Sequence, residues 1–226
     1  MNAIAKNLTR IKEKISVAAI KSGRNPSNVK LIGVTKTIGP DKIQQLIAAG
    51  VTSLGENRVQ DFLPKYEALE AFAPSWHFIG HLQRNKVKYI IDKVAMIHSV
   101  DSLSLATEID KRAAQAGRVM DILIEVNIAD EASKHGLDPS EALHLINKLV
   151  EFKNIHVKGL MSMAPFVENP EDNRQYFEKM RNLFVDINSI GKHNLTELSM
   201  GMSGDYAVAI EEGATMVRIG TALVAE

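Results

Sequence analysis

The sequence predicts an α/β protein, a single (β/α)8 barrel over residues 1–226 with one extra N-terminal helix. Three observations carry this. Short apolar runs alternate with helical patterns, which calls for parallel strands joined by crossover helices. Eight such runs follow one another with no proline- or serine-rich linker between them, so they close one ring. Polar residues recur just after the runs, where a barrel gathers its chemistry on one face. A doubly wound open sheet is the alternative.

Residues 2–22 place Ile4, Leu8, Ile11, Ile15 and Ala18 on one helical face, and Gly23 and Pro26 stop the helix. The run Val29–Thr37 is the first strand, with Leu31, Ile32 and Val34 buried and Lys36 at its carboxyl end. A helix over 41–49 closes at Gly50, and Val51–Gly55 is the second strand, ending at Glu56-Asn57-Arg58. A helix carries Val59, Phe62, Tyr66 and Leu69. Trp76–Gly80 is the third strand, followed by a helix over 83–92, and Val94–Val100 is the fourth. Leu105, Ile109 and Ala113 mark the next helix.

Met120–Asn127 is the fifth strand. Asp138 as N-cap, Pro139 at the first helical position and Glu141 three residues after the cap open a helix with the stripe Leu143, Ile146, Leu149 and Val150. Ile155–Met161 is the sixth strand, 171–190 a long helix, Leu195–Ser199 the seventh strand, 204–212 a short helix and Thr215–Ile219 the eighth strand. Residues 220–226 are too few for a full closing helix, so the N-terminal helix is expected to cover that gap.

Composition narrows the function classes. Lys plus Arg and Asp plus Glu number 27 each, so no global field draws the chain to nucleic acid or anionic membrane. The basic run Arg84, Lys86, Lys88 and Lys93 reads as a solvated face. The absence of cysteine excludes disulfides and thiolate chemistry and suits a reducing compartment. No apolar run approaches the roughly 20 residues of a membrane span, and charges interrupt the N-terminus. A soluble cytoplasmic protein is expected.

The strand ends carry the candidate chemistry. Lys36 taken alone is an ordinary strand-end lysine, but burial disfavours an ammonium, and a neutral amine condenses with an aldehyde. After the seventh strand, Ser199-Met200-Gly201-Met202-Ser203-Gly204 lets backbone N–H groups approach an anion, with Ser203 expected as N-cap of the next helix. After the eighth, Gly220-Thr221 adds a second glycine and a hydroxyl, at the two loops where barrels bind phosphate. Either loop alone reads as a tight turn. Arg218 alternates with Val217 and Ile219, so it faces the interior and needs a partner, either a carboxylate or the ring nitrogen of a ligand. A ligand with an aldehyde, a phosphate and a pyridine nitrogen uses all of these together, and pyridoxal 5′-phosphate has those three groups. A cofactor-free Schiff-base aldolase acting on a sugar phosphate leaves Arg218 unexplained. His77 and His81 are spaced by four, but Gly80 intervenes and no third ligand follows, so no metal site is expected.

These segments resemble the pyridoxal-phosphate homeostasis protein family, which is similar to the N-terminal barrel domain of alanine racemases. The resemblance rests on Gly33-Val34-Thr35-Lys36, Gly55–Gln60, His77–Lys86, Gly159-Leu160-Met161, Leu198–Ser203 and Val217–Thr221, and spans nearly the whole chain. It implies that Lys36 carries the cofactor as a Schiff base. It implies that Ser203, Gly204, Gly220 and Thr221 hold the phosphate, and Ser199 and Met200 are also expected to bind the cofactor. It implies that Arg218 faces the pyridine nitrogen and that Asn57 lies beside the ring. Arg58 stands where many members have tyrosine and His81 where many have proline, both near the pocket mouth.

Arginine stays charged and supports an unprotonated ring nitrogen, which weakens the ring as an electron sink. Racemisation needs a second acid/base group, which racemase-like enzymes take from a further C-terminal domain; this chain ends soon after Arg218. Tyr66, Tyr89 and Tyr176 fall on helices, and Tyr206 follows the phosphate loop. The expectation is a non-catalytic, monomeric carrier and buffer of pyridoxal phosphate. Apo enzymes that use the cofactor are candidate recipients, and a weak amino-acid racemase is the alternative.

Overall fold

The structure, a computed structural model, describes residues 3–130, 135–190 and 193–225. Eight parallel strands close a barrel in chain order: β1 (Lys30–Val34), β2 (Ser53–Glu56), β3 (Ser75–Phe78), β4 (Met96–Val100), β5 (Met120–Glu125), β6 (Ile155–Met161), β7 (Glu197–Ser199) and β8 (Met216–Ile219). β1 pairs with both β2 and β8, with Ile32 opposite Arg218, so the ring is closed and the open-sheet alternative falls. Around it lie α1 (Ala3–Lys21), α2 (Pro40–Ala48), α3 (Val59–Ala68), α4 (Leu103–Gln115), α5 (Pro139–Leu149), α6 (Arg174–Ser189), α7 (Tyr206–Glu211) and α8 (Thr221–Val224).

Local sequence explains most boundaries. α1 buries Ile4, Leu8, Ile11, Ile15 and Ala18 and packs on α7 and α8, covering the gap left by the four-residue α8. Asn7 Nδ2 ties it to the chain end by donating to the Ala225 carbonyl at 2.8 Å. Gly23, at φ 72°, supplies the left-handed turn that stops α1. α5 opens as expected, with the Asp138 carboxylate accepting from Ser140 N at 2.8 Å.

Two helical expectations change. Residues 84–89 form a 3₁₀ turn, not a helix over 83–92, because the buried positions Leu82, Val87, Ile90 and Ile91 give only one turn of helical spacing. The helix expected over 171–190 splits into a 3₁₀ turn, Pro170–Asn173, and α6. Pro170 suits the start of a turn, and Asn169 caps it by accepting from Glu171 N.

The main core lies between barrel and helices, around Phe62, Trp76, Phe78 and Phe177. A separate apolar cluster of Ile32, Met96, Leu123, Met161 and Met216 fills the barrel interior. Strand period two puts His98 on the same side as Met96, and Arg218 on the same side as Met216, each nearer the carboxyl end. The interior therefore has an apolar lower layer and a polar upper layer facing the mouth.

Candidate functional site at the barrel mouth

β1 ends at Val34, and Lys36 lies two residues further on, exposed, on the wall of a cavity of about 650 Å³. The burial expected of Lys36 is absent because the strand stops short of it. The residue before it is tightly held. Thr35 Oγ1 donates to Glu56 Oε1 at 2.6 Å. Lys65 Nζ, from α3, donates to the Thr35 carbonyl at 2.8 Å and to Glu56 Oε1 at 2.6 Å. Glu56 and Lys65 are both buried, so this ion pair is shielded and fully hydrogen-bonded on the side of Thr35.

The loops after β7 and β8 meet beside Lys36. Ser203 does not cap the helix after it: α7 begins after Asp205. The Ser203 hydroxyl instead accepts from the backbone N–H groups of Gly220 and Ala222, at 3.2 and 3.3 Å, at the start of α8. The Asp205 carboxylate takes the bracing role, accepting from Met202 N at 2.6 Å and from Asn173 Nδ2 at 2.8 Å. Gly204 is exposed, and a Cβ there meets nothing within 4 Å, so the backbone is open to approach. Gly220 packs on β1: a Cβ would stand 3.3 Å from Val34 Cβ. Lys36, Ser203, Gly204, Arg218, Gly220 and Thr221 all line the one cavity.

Arg218 is 4% exposed. Its Nη1 donates to Ser199 Oγ at 2.6 Å and its Nη2 to the Ser162 carbonyl at 2.8 Å. Arginine has only donors, so Ser199 Oγ accepts from it and is free to give its own proton to His98 Nδ1, 3.1 Å away. His98 Nε2 lies 2.9 Å from His77 Nδ1, and His77 Nε2 ends the chain with no partner. Burial pushes His77 down to about 4 and His98 well below the usual range, so both imidazoles are neutral. Burial also pushes Arg218 down to about 10, against the nearby charges of Glu125 and Asp205, and it remains a cation at neutral pH. Its direct partners are thus a hydroxyl and a carbonyl, with the carboxylates acting at longer range.

Ser199 and Met200 lie outside the cavity lining. Ser199 sits under Arg218, and Met200 is fully buried in the core. Asn57 does line the cavity, beside Gly80, where a Cβ would fall 2.2 Å from the Asn57 carbonyl. Asn57 Oδ1 is buried without a partner. Arg58 and His81 stand on the cavity wall, while His77 faces the interior, so the histidines spaced by four do not act together. Tyr206 is buried in the core, and none of the four tyrosines lines the cavity.

Glu125 is the residue that sequence reading missed. It ends β5, lines the cavity, is 3% exposed, and its Oε2 has no partner. Burial and the Asp101 charge push its carboxyl up to about 7, with Arg218 opposing. An acidic residue closing an otherwise apolar strand run was the available signal.

A lysine after β1, a buried arginine on β8 and backbone donors after β7 and β8 define a racemase-type barrel. The family model for the alanine racemase N-terminal domain matches residues 1–226. The pyridoxal phosphate homeostasis protein of Aquifex aeolicus is 48% identical over 226 residues, covering 100% of this chain and 99% of its own. PipY of Synechococcus elongatus, solved with pyridoxal phosphate bound, superposes with a TM-score of 0.86 at 32% identity, over 97% of this chain and 99% of its own. A Bifidobacterium adolescentis structure gives 0.91 at 35% identity, over 97% and 94%. This chain belongs to the pyridoxal phosphate homeostasis protein family.

Proposed function

We propose that this chain binds pyridoxal 5′-phosphate through Lys36 and serves as an intracellular carrier and buffer of it, without turning over a substrate. The observation that carries this is the convergence of Lys36, Arg218 and the donors around Ser203, Gly204, Gly220 and Thr221 on one cavity. The residues fit the group. The cavity of about 650 Å³ suits a small cofactor. Gly204 leaves open backbone for a phosphate, and the buried Asn57 Oδ1 lacks a donor partner. Lys36 would hold the cofactor, whose aldehyde would supply a carbonyl able to condense with the Lys36 amine with loss of water.

The protein's residues bind and orient. Lys65 and Glu56 hold Thr35 and so set where Lys36 leaves the strand. Gly220, Thr221 and the Ser203 loop offer N–H and hydroxyl donors to phosphate oxygens. Arg218, a cation held by Ser199 and Ser162, would face the ring nitrogen as a donor and disfavour its protonation. That arrangement favours holding over electron withdrawal. No tyrosine lines the cavity as a second acid/base group.

One observation favours the alternative of a weak enzyme: Glu125, a titratable carboxyl in the cavity wall. The two readings separate in one experiment. Loaded protein is incubated with L-alanine in deuterium oxide and, separately, with an apo aminotransferase. The carrier reading expects no deuterium at the alanine α-carbon and recovery of aminotransferase activity. Deuterium incorporation lost in Glu125→Gln establishes the enzyme reading instead.

A further inference from the structure

Three side chains able to ligate a metal come together from three successive loops, with His81 and His135 on the cavity wall and Asp101 beside them. His81 follows β3, Asp101 follows β4, and His135 precedes α5. The His81 and His135 rings stack with centroids 3.9 Å apart and planes 13° from parallel. His81 Nδ1 stands 3.8 Å from Asp101 Oδ2, beyond hydrogen-bond reach. One ligand atom from each residue lies within 4.8 Å of the other two. Both imidazoles are exposed, so burial does not drive them together.

A second observation points to a cation. Glu125 is buried in the same cavity wall with Oε2 unpartnered. The nearby Asp101 charge disfavours a charged Glu125, and Arg218 favours it in part. Positive charge at the trio offsets both carboxylates.

We propose that His81, Asp101 and His135 form a binding site for a late first-row divalent cation such as Zn²⁺ at the cavity mouth. Two imidazoles and one carboxylate suit Zn²⁺, Co²⁺, Ni²⁺ or Cu²⁺, whereas Mg²⁺ and Ca²⁺ take oxygen shells. Metal–ligand bonds of about 2.0–2.2 Å at tetrahedral angles put the ligand atoms about 3.3–3.6 Å apart. From separations of up to 4.8 Å the trio closes by about 1 Å or more, with the stacked imidazoles turning out of parallel, a rearrangement open to exposed side chains. Three protein ligands leave a position for an exchangeable oxygen ligand, a carboxylate or phosphate of an incoming small molecule. β5 lies opposite β1 in the ring, so the β3–β5 side that carries the site faces Lys36 across the mouth.

The test uses tag-free, full-length protein without pyridoxal phosphate, titrated with ZnCl₂ by calorimetry and with CoCl₂ by absorbance. One saturable site is expected, weakened at least tenfold in each of His81→Ala, Asp101→Asn and His135→Ala, with circular dichroism unchanged. MgCl₂ is expected not to compete. Lys36→Ala is expected to bind Zn²⁺ like the parent, so the metal result stands or falls apart from the cofactor reading. Absence of a one-to-one site, or a site of equal affinity in all three variants, overturns the proposal.

Discussion

Arg218 Nη1 donates to Ser199 Oγ across 2.6 Å inside the barrel, and this contact makes the arginine a fixed donor at the cavity floor. Ser199→Ala removes the acceptor and leaves a buried cationic N–H unpaired. A loss of about 1.5–3 kcal/mol is expected in urea unfolding. Retention of pyridoxal phosphate falls, while the covalent linkage to Lys36 still forms.

The buried pair Lys65–Glu56 holds Thr35 from both its carbonyl and its hydroxyl. Lys65→Met strands the Glu56 carboxylate in the core, and a loss of about 3–5 kcal/mol is expected. The double variant Lys65→Met with Glu56→Gln recovers much of it, because no unpaired charge remains. Denaturant midpoints of the three proteins check this.

His77 sets an acid limit. Its folded value near 4 lies below its ordinary 6.5, so the unfolded chain binds more protons between those values. Stability is then full above about pH 6.5 and falls as pH drops toward 4, by about 3 kcal/mol for this group. His98, also shifted down, adds to the same loss. Thermal midpoints from pH 7.5 to 4, compared with His77→Gln, read the effect.

Glu125 acts in the opposite direction. Its folded value of about 7 lies above its ordinary 4.5, so the folded state binds more protons between those values. Its contribution is full below about pH 4.5 and is lost as pH rises through 7. Glu125→Gln is therefore expected to stabilise the metal-free protein by up to about 3 kcal/mol at pH 8 and hardly at all at pH 4. An unchanged difference between the two pH values contradicts this.

The strands and the residues at their ends were legible because buried parallel strands read as apolar runs, and β6 was bounded correctly at Ile155–Met161. Lys36, Asn57, Ser203, Gly204, Arg218, Gly220 and Thr221 share one cavity for the same reason: each follows or ends such a run. The supporting residues were not legible. Lys65 sits on a helix, where a lysine reads as solvated, and only the folded packing shows it buried on Glu56. Ser203, expected as the cap of the helix after it, instead accepts from Gly220 N and Ala222 N, a pairing 17 and 19 residues away that local sequence does not show. His98 lies in a continuous buried strand, where periodicity cannot separate the inward face from the outward one.

The most direct measurement is the absorbance spectrum of the protein and of Lys36→Ala with pyridoxal phosphate, followed by borohydride reduction and peptide mapping. Lys36 is exposed, so the variant is expected to fold. A band near about 420 nm in the parent alone, with the reduced label on Lys36, is expected. No band in either protein, or a label on another lysine, contradicts Lys36 as the residue that holds the cofactor.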